Sequence, residues 1–173
     1  MLYRDIYYYF EGKLATFAYV FPLMDASYYF AGSFYFSTKS RPFIEFYMKN
    51  IIPLSQFYEK NIYFLFGILI ALFIFCSRRG GPLSKFTRYN IIQAILLDII
   101  ITCFGQVYFL VPNFLRETLI GNMFSSGIYL LIMIYLIYAA LLILGGKCPK
   151  LPLISQGARM QIQDGYSGEN EFF

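Results

Sequence analysis

The chain has 173 residues and a net charge of +4 at neutral pH; 58% of its residues are apolar and only 14% are charged. Soluble domains carry fewer apolar and more charged residues, so most of this apolar surface must face lipid, and the length leaves no room for a second soluble domain. The sequence contains no histidine, which excludes histidine-based catalysis, and its basic residues flank apolar stretches instead of forming the stripe that nucleic acid binding requires.

The first predicted span covers residues 14–30 and follows an N-terminal segment of residues 1–13. That segment contains two acids and no serine, so we do not expect a signal or transit peptide there. Small or polar residues recur in the span every three or four positions and form one stripe on a helix. The members of the stripe are Ala15, Ala18, Pro22, Asp25 and Ala26. Small residues let helices approach closely in lipid, so this span is expected to pack against others.

Residues 42–57 are predicted to form a short amphipathic helix in the membrane interface. Pro42 suits a first helical turn, and polar side chains recur on one side of the helix while aromatic and aliphatic residues cover the others. Charge interrupts the segment, which favours an interfacial position over a span. We expect the helix to break near Pro53, because proline removes a backbone donor.

The remaining spans are predicted over residues 61–77, 89–111 and 124–144. Residues 61–77 carry no charge and end at the basic pair Arg78 and Arg79. The sequence therefore predicts an all-α polytopic membrane protein whose membrane domain, residues 14–145, has about four transmembrane helices. The tail, residues 146–173, is expected to lie on the surface and to end in a flexible terminus.

The distribution of basic residues predicts the orientation of the four spans. Nine Lys and Arg residues fall on the side that holds both termini, and five fall on the opposite side. The positive-inside rule then places both termini on the cytoplasm-like side, which in a plastid is the stroma.

Two carboxylates lie inside predicted spans, Asp25 in the first and Asp98 near the middle of the third. A charge at that depth costs about 2.5–3.5 kcal/mol on insertion scales, so each carboxylate needs a partner, water or a proton. In the third span, polar residues with Asp98 define a face turned away from lipid. The residues predicted to contact a path or a partner subunit are Asp25, Asn90, Gln93, Asp98 and Thr102.

Two interpretations of this polar face stay open. It lines a hydrated path or binds a partner subunit, or it supplies hydrogen bonds that hold the helices together. A proton relay through Asp25 and Asp98 is disfavoured, because no His, Lys or Arg lies mid-membrane to complete a chain of exchange.

The densest basic cluster follows the second span and contains Arg78, Arg79, Lys85 and Arg88. Such a cluster binds a protein partner or acidic lipid, although anchoring of the topology alone explains it. The sequence has no Gly-rich phosphate loop, no nucleophile beside a base and no metal-ligand spacing, and its three cysteines are predicted to be free thiols. No catalytic, cofactor or metal site is predicted, and the protein is expected not to be an enzyme.

Three segments carry a resemblance to a known family. They are SKFTRYNIIQAILLDI at Ser84–Ile99, YVFPLMD at Tyr19–Asp25 and GKCPKLPLIS at Gly146–Ser155. Together they resemble the twenty-kilodalton subunit family of the chloroplast inner-envelope protein translocon (Tic), and the plastid-encoded and cyanobacterial branches in particular. Residues 27–58 are less similar.

The resemblance implies a multi-pass protein of the plastid inner envelope membrane with both termini in the stroma. It also implies a role in importing precursor proteins, as part of a protein-conducting channel that includes other translocon subunits. Four helices can hardly surround a hydrated polypeptide path while keeping their apolar faces in lipid, so a channel needs a homo-oligomer or a larger assembly.

Two functions of other classes remain as alternatives. A non-conducting structural or assembly factor for another membrane complex would use the same buried polar groups to bind a partner helix. A small-solute carrier would have a ligand pocket near the midplane and often internal repeats, and the two halves of this sequence show no convincing repeat.

Overall fold

A computed structural model describes residues 11–37, 40–78, 83–150 and 154–162. All regular secondary structure in these residues is helical, so the predicted all-α class is confirmed. In chain order the helices are α1 (11–18), α2 (Val20–Ser37), α3 (Arg41–Phe46), α4 (Ile52–Lys60), α5 (Ile62–Ser77), α6 (Lys85–Leu110), α7 (Asn113–Arg116), α8 (Leu119–Leu144) and α9 (Ile154–Ile162). A π-helical turn over Tyr47–Ile51 joins α3 to α4.

Helix α2 lies at the centre of the bundle, between α6 and α8, and α4 packs on its side. The small residues of the predicted stripe are buried: Ala15 of α1 and Ala26 of α2 are fully buried, and Ala18 of α1 is 6% exposed. The expectation that this segment packs against other helices is therefore confirmed. On its other sides α6 contacts α5 and α9.

Two prolines, Pro22 and Pro53, each lie shortly after an irregular turn of the helical backbone. Tyr19 forms a turn between α1 and α2, where its N–H donates to the Thr16 carbonyl instead of continuing the α-helical ladder. Pro22 follows three residues later and has no N–H to offer the preceding turn. Pro53 sits at the start of α4, directly after the π-helical turn, so the interruption near it is widened backbone and the helical path continues to Lys60.

Both α6 and α8 are long and apolar enough to cross a membrane, since 26 residues of helix extend about 39 Å and a hydrocarbon core is about 30 Å thick. Residues Arg41–Lys60 and Ile62–Ser77 meet at a bend of 80° and make a third crossing only if the bent pair is one span and not a re-entrant loop. The chain is thus an all-α membrane protein. The four-span arrangement itself stays a prediction.

Side-chain caps determine where the two longest helices begin. Ser84 Oγ accepts from the Thr87 N–H at 3.2 Å, and Thr118 Oγ1 accepts from the Gly121 N–H at 3.1 Å. Each cap satisfies a donor that the first turn leaves without a partner. For this reason α8 begins five residues before the predicted span, which hydropathy alone placed at residue 124.

Candidate functional site

The N-terminal half of α6 is enclosed by protein on every side. Nearly every residue from Thr87 to Asp98 is buried, Leu96 being the exception, because α2, α5 and α9 all pack against this half. The C-terminal half differs, since Phe104 and Val107 are about 60% exposed. The buried half coincides with the sequence segment whose polar residues were predicted to avoid lipid.

Asp25 of α2 and Asp98 of α6 meet at the contact between the two helices. Asp25 is fully buried and Asp98 is 4% exposed. The Thr102 hydroxyl contacts Asp25 Oδ2 and also lies 3.0 Å from the Asp98 backbone carbonyl. The structure therefore brings together three of the five residues predicted for a path or subunit contact, and it does so inside one chain.

Tyrosines of α2 and α4 lie beside this carboxyl pair. The Tyr58 hydroxyl of α4 faces the Asp25 carboxyl. One turn further along, Gln106 Nε2 donates to the Tyr29 hydroxyl at 2.9 Å, and the Tyr29 ring lies against Gly105. A Cβ on Gly105 would approach the ring to 2.3 Å, so only glycine permits this crossing of α2 and α6.

The other two predicted residues serve different parts of the fold. Gln93 Nε2 donates to the Pro149 carbonyl at 3.2 Å and to Ser155 Oγ at 3.3 Å, which ties the C-terminal tail to α6. Asn90 Nδ2 donates to the Phe86 carbonyl of its own helix at 2.8 Å. Both side chains are fully buried, and neither contacts the Asp25 and Asp98 pair.

The tail docks on α6 more closely than a surface-lying segment would. Ala158 is fully buried, and a Cβ on Gly157 would lie 3.3 Å from Leu96. Burial raises the pKa of the Cys148 thiol, an effect that Arg159 partly offsets. The polar and exposed side of α9 carries Gln156, Arg159 and Gln161.

The predicted basic cluster is divided by the fold. Arg88 is only 9% exposed, and its Nε donates to the Cys76 carbonyl in the last turn of α5 at 2.6 Å. A cation at this position complements the C-terminal end of the α5 dipole. Arg78 and Lys85 are exposed, and Arg79 lies outside the described residues.

Sequence reasoning missed several partners of the polar residues. Tyr58 and the tail residues Pro149 and Ser155 carry no local signal, because each meets its partner through a contact between distant segments. Among the described residues, no three His, Cys, Asp or Glu side chains converge in a way that could hold a metal ion. The arrangement can therefore bind protons, water or polar groups at the contact of α2 and α6.

Comparison with known proteins gives one matching family model, described as "Chloroplast import apparatus Tic20-like", over residues 9–158. Among individual proteins, the chain is 31% identical over 166 residues to a Tic20 family protein of Synechocystis sp., an alignment that covers 88% of this chain and 95% of that protein. It is 25% identical over 158 residues to the protein TIC 20-v, chloroplastic, of Arabidopsis thaliana, covering 86% and 69% of the two chains.

A third relative is the Tic20 family protein Ycf60 of Gracilaria tenuistipitata var. liui, which is 28% identical over 123 residues. That alignment covers 70% of this chain and 60% of the relative. The region that the family model matches, residues 9–158, includes every helix from α2 to α8, and thus Asp25 and Asp98.

Proposed function

We propose that this chain is a membrane component of the plastid protein import machinery and contributes to the path of precursor proteins. The chain belongs to the Tic20-like family of the chloroplast import apparatus, and this membership is the premise of the proposal. The observation that carries the proposal is the family match over residues 9–158, which takes in the helical bundle from α2 to α8. The proposed location is the plastid inner envelope membrane, with several spans and both termini in the stroma.

The fold supports a role that needs partner subunits. The outward faces of α8 and of the C-terminal half of α6 are apolar and exposed, including Leu131, Ile134 and Val107 at about 60%. Lipid or other apolar helices can cover these faces, and a polypeptide in transit can lie along them only where partner subunits shield it from lipid. A precursor path would therefore lie between this chain and other translocon subunits, or between copies of this chain, and not through the middle of a single bundle.

A second candidate function is a non-conducting structural or assembly factor. The observation that favours it is that Asp25, Gln93 and Thr102 all find partners within the chain, so they act as internal glue in the isolated molecule. Under this reading the polar residues stabilise a fold whose exposed helices bind another membrane complex.

Affinity purification from native membranes tests the membership. A tagged chain is isolated in mild detergent, and the co-purifying proteins are identified by mass spectrometry. Recovery of envelope translocon subunits and of an arrested precursor is the expected result. Recovery of photosynthetic or other unrelated complexes alone would overturn the import role.

Photo-crosslinking separates the conducting role from the structural one. A photoreactive residue is placed at exposed Val107 of α6, at exposed Ile134 of α8, or, as a control, at fully buried Ala26 of α2. With a precursor arrested in transit, adducts to the precursor from an exposed position support a path along that face. Adducts to other subunits only, from both exposed positions, would favour the structural factor.

A further inference from the structure

The contact between α2 and α6 buries two carboxyl groups with few groups to neutralise them. Asp25 is fully buried and Asp98 is 4% exposed, and both lie well inside their helices. Asp25 Oδ1 and Asp98 Oδ1 have no hydrogen-bond partner among the described residues. A buried carboxylate oxygen without a partner is costly, so an ionised pair would be destabilising at this contact.

The groups that face the pair are hydroxyls and carboxyls from three helices. Tyr29 comes from α2, Tyr58 from α4, and Thr102 from α6, which also supplies Asp98 itself. The buried tyrosine of α8, Tyr129, faces Tyr35 and Ser27 instead.

Among the described residues, no Lys or Arg interacts electrostatically with the carboxyl group of Asp25 or of Asp98. Ionising both would place two like charges side by side in a medium of low polarity, where each alone already carries an insertion cost.

The number of hydrogens available at Thr102 also indicates that one carboxyl group of the pair is protonated. The hydroxyl has one hydrogen and two oxygen neighbours, the Asp98 carbonyl at 3.0 Å and Asp25 Oδ2. The bond to the carbonyl four residues earlier is common for threonine in helices. When that bond forms, the contact to Asp25 needs a hydrogen from Asp25 itself, because an ionised carboxylate only accepts.

We infer that Asp25 and Asp98 form an intramembrane proton-binding site, in which a proton held at the contact of α2 and α6 keeps the two helices packed together. The site is a fixed point of protonation and not a relay. The inference stands on these contacts and does not depend on a role in protein import.

Infrared spectroscopy of the chain reconstituted in lipid nanodiscs tests for the proton directly. The sequence has four aspartates, and 13C labelling of aspartate carboxyls distinguishes their bands from those of glutamate. The expected result at neutral pH is a band of the protonated aspartic acid type, which Asp25→Asn/Asp98→Asn removes. The matched control Asp5→Asn/Asp164→Asn changes the other two aspartates and is expected to keep the band.

Absence of the band in the unaltered chain at neutral pH would overturn the inference, and this result needs no variant to fold. Persistence of the band in folded Asp25→Asn/Asp98→Asn would overturn the assignment to this pair.

Thermal unfolding in detergent tests the coupling to helix packing. Because the folded chain holds a proton that the unfolded chain releases, linkage requires that the unaltered protein loses stability as pH rises above about 4, the ordinary pKa of an unfolded aspartate, until the folded pair itself ionises. Asp25→Asn/Asp98→Asn removes both titrating groups of the pair and is expected to flatten this dependence. Equal dependence on pH in the two proteins would show that the proton does not hold α2 to α6.

Discussion

At the scale of single residues, the sequence predicts which polar side chains avoid lipid but not which residues they contact. The cost of a charge in hydrocarbon singled out Asp25 and Asp98, and both are buried. Their common neighbour Thr102 lies 77 residues from Asp25, so no local pattern pairs them. The basic cluster shows the same limit, because charge density cannot reveal that Arg88 turns inward to the end of α5.

Gly105 gives the sharpest prediction at this scale. Gly105→Ala is expected to cost about 1–3 kcal/mol, because the new methyl group would press into the Tyr29 ring in a packed contact. Gly127→Ala of α8 is the matched control, since nothing lies within 4 Å of its added Cβ. That variant should gain up to about 1 kcal/mol from helix propensity. Thermal unfolding in detergent measures both, and equal stabilisation would contradict the crossing described.

Arg88→Gln is expected to destabilise the bundle by about 1–3 kcal/mol, because the buried Cys76 carbonyl loses a charged donor at the end of α5. Arg78→Gln removes the same charge from an exposed position and should change stability little. Chemical or thermal unfolding of the two variants in one detergent makes the comparison. A similar loss in both would mean that net charge, and not the contact, matters.

At the scale of elements, hydropathy located the apolar helices well, whereas the tail was predicted only as a surface-lying segment. The apolar runs of the sequence overlap α5 and most of α6 and α8. Helix α9 is short and polar, so its docking depends on tertiary contacts that a sequence window does not contain. Gln93 was predicted to contact a path or a partner subunit, and its hydrogen bond to Ser155 of the tail was not predicted.

Docking of α9 predicts how Cys148 reacts. Burial raises the pKa of its thiol, so less thiolate is present at neutral pH, and alkylation should be slower than for an exposed cysteine and should accelerate with rising pH. Ala158→Leu, which overfills a fully buried position, should detach α9 and speed the reaction several-fold. Met160→Leu, at a position 72% exposed, is the control. The rates are measured with a maleimide in a Cys76→Ala/Cys103→Ala background, and an unchanged rate in Ala158→Leu would contradict the docking.

At the scale of the whole molecule, the orientation in the membrane is still the prediction drawn from charge. Among the described residues, two helices, or three spans if the bent pair is one, meet the requirements for crossing, and α2 is not among them; its crossing belongs to the predicted four-span arrangement. Lys49 and Lys147 are exposed and lie on opposite sides of the membrane in that arrangement. Lys147→Cys should therefore react with an impermeant thiol reagent from the stromal side, and Lys49→Cys from the other side. Labelling of both cysteines from the same side would contradict the four-span arrangement, in which three crossings separate the two positions.

The enclosure of the first half of α6 also has a consequence for biogenesis. Gln93 finds its partner at Pro149, which is synthesised 56 residues later. At about 5–20 residues per second, the ribosome needs roughly 3–11 s to deliver it. During that interval α6 stands in or near the bilayer with the Gln93 amide uncovered. Insertion of this chain therefore requires either a protected site beside the insertase or release of α6 only after the tail has left the ribosome.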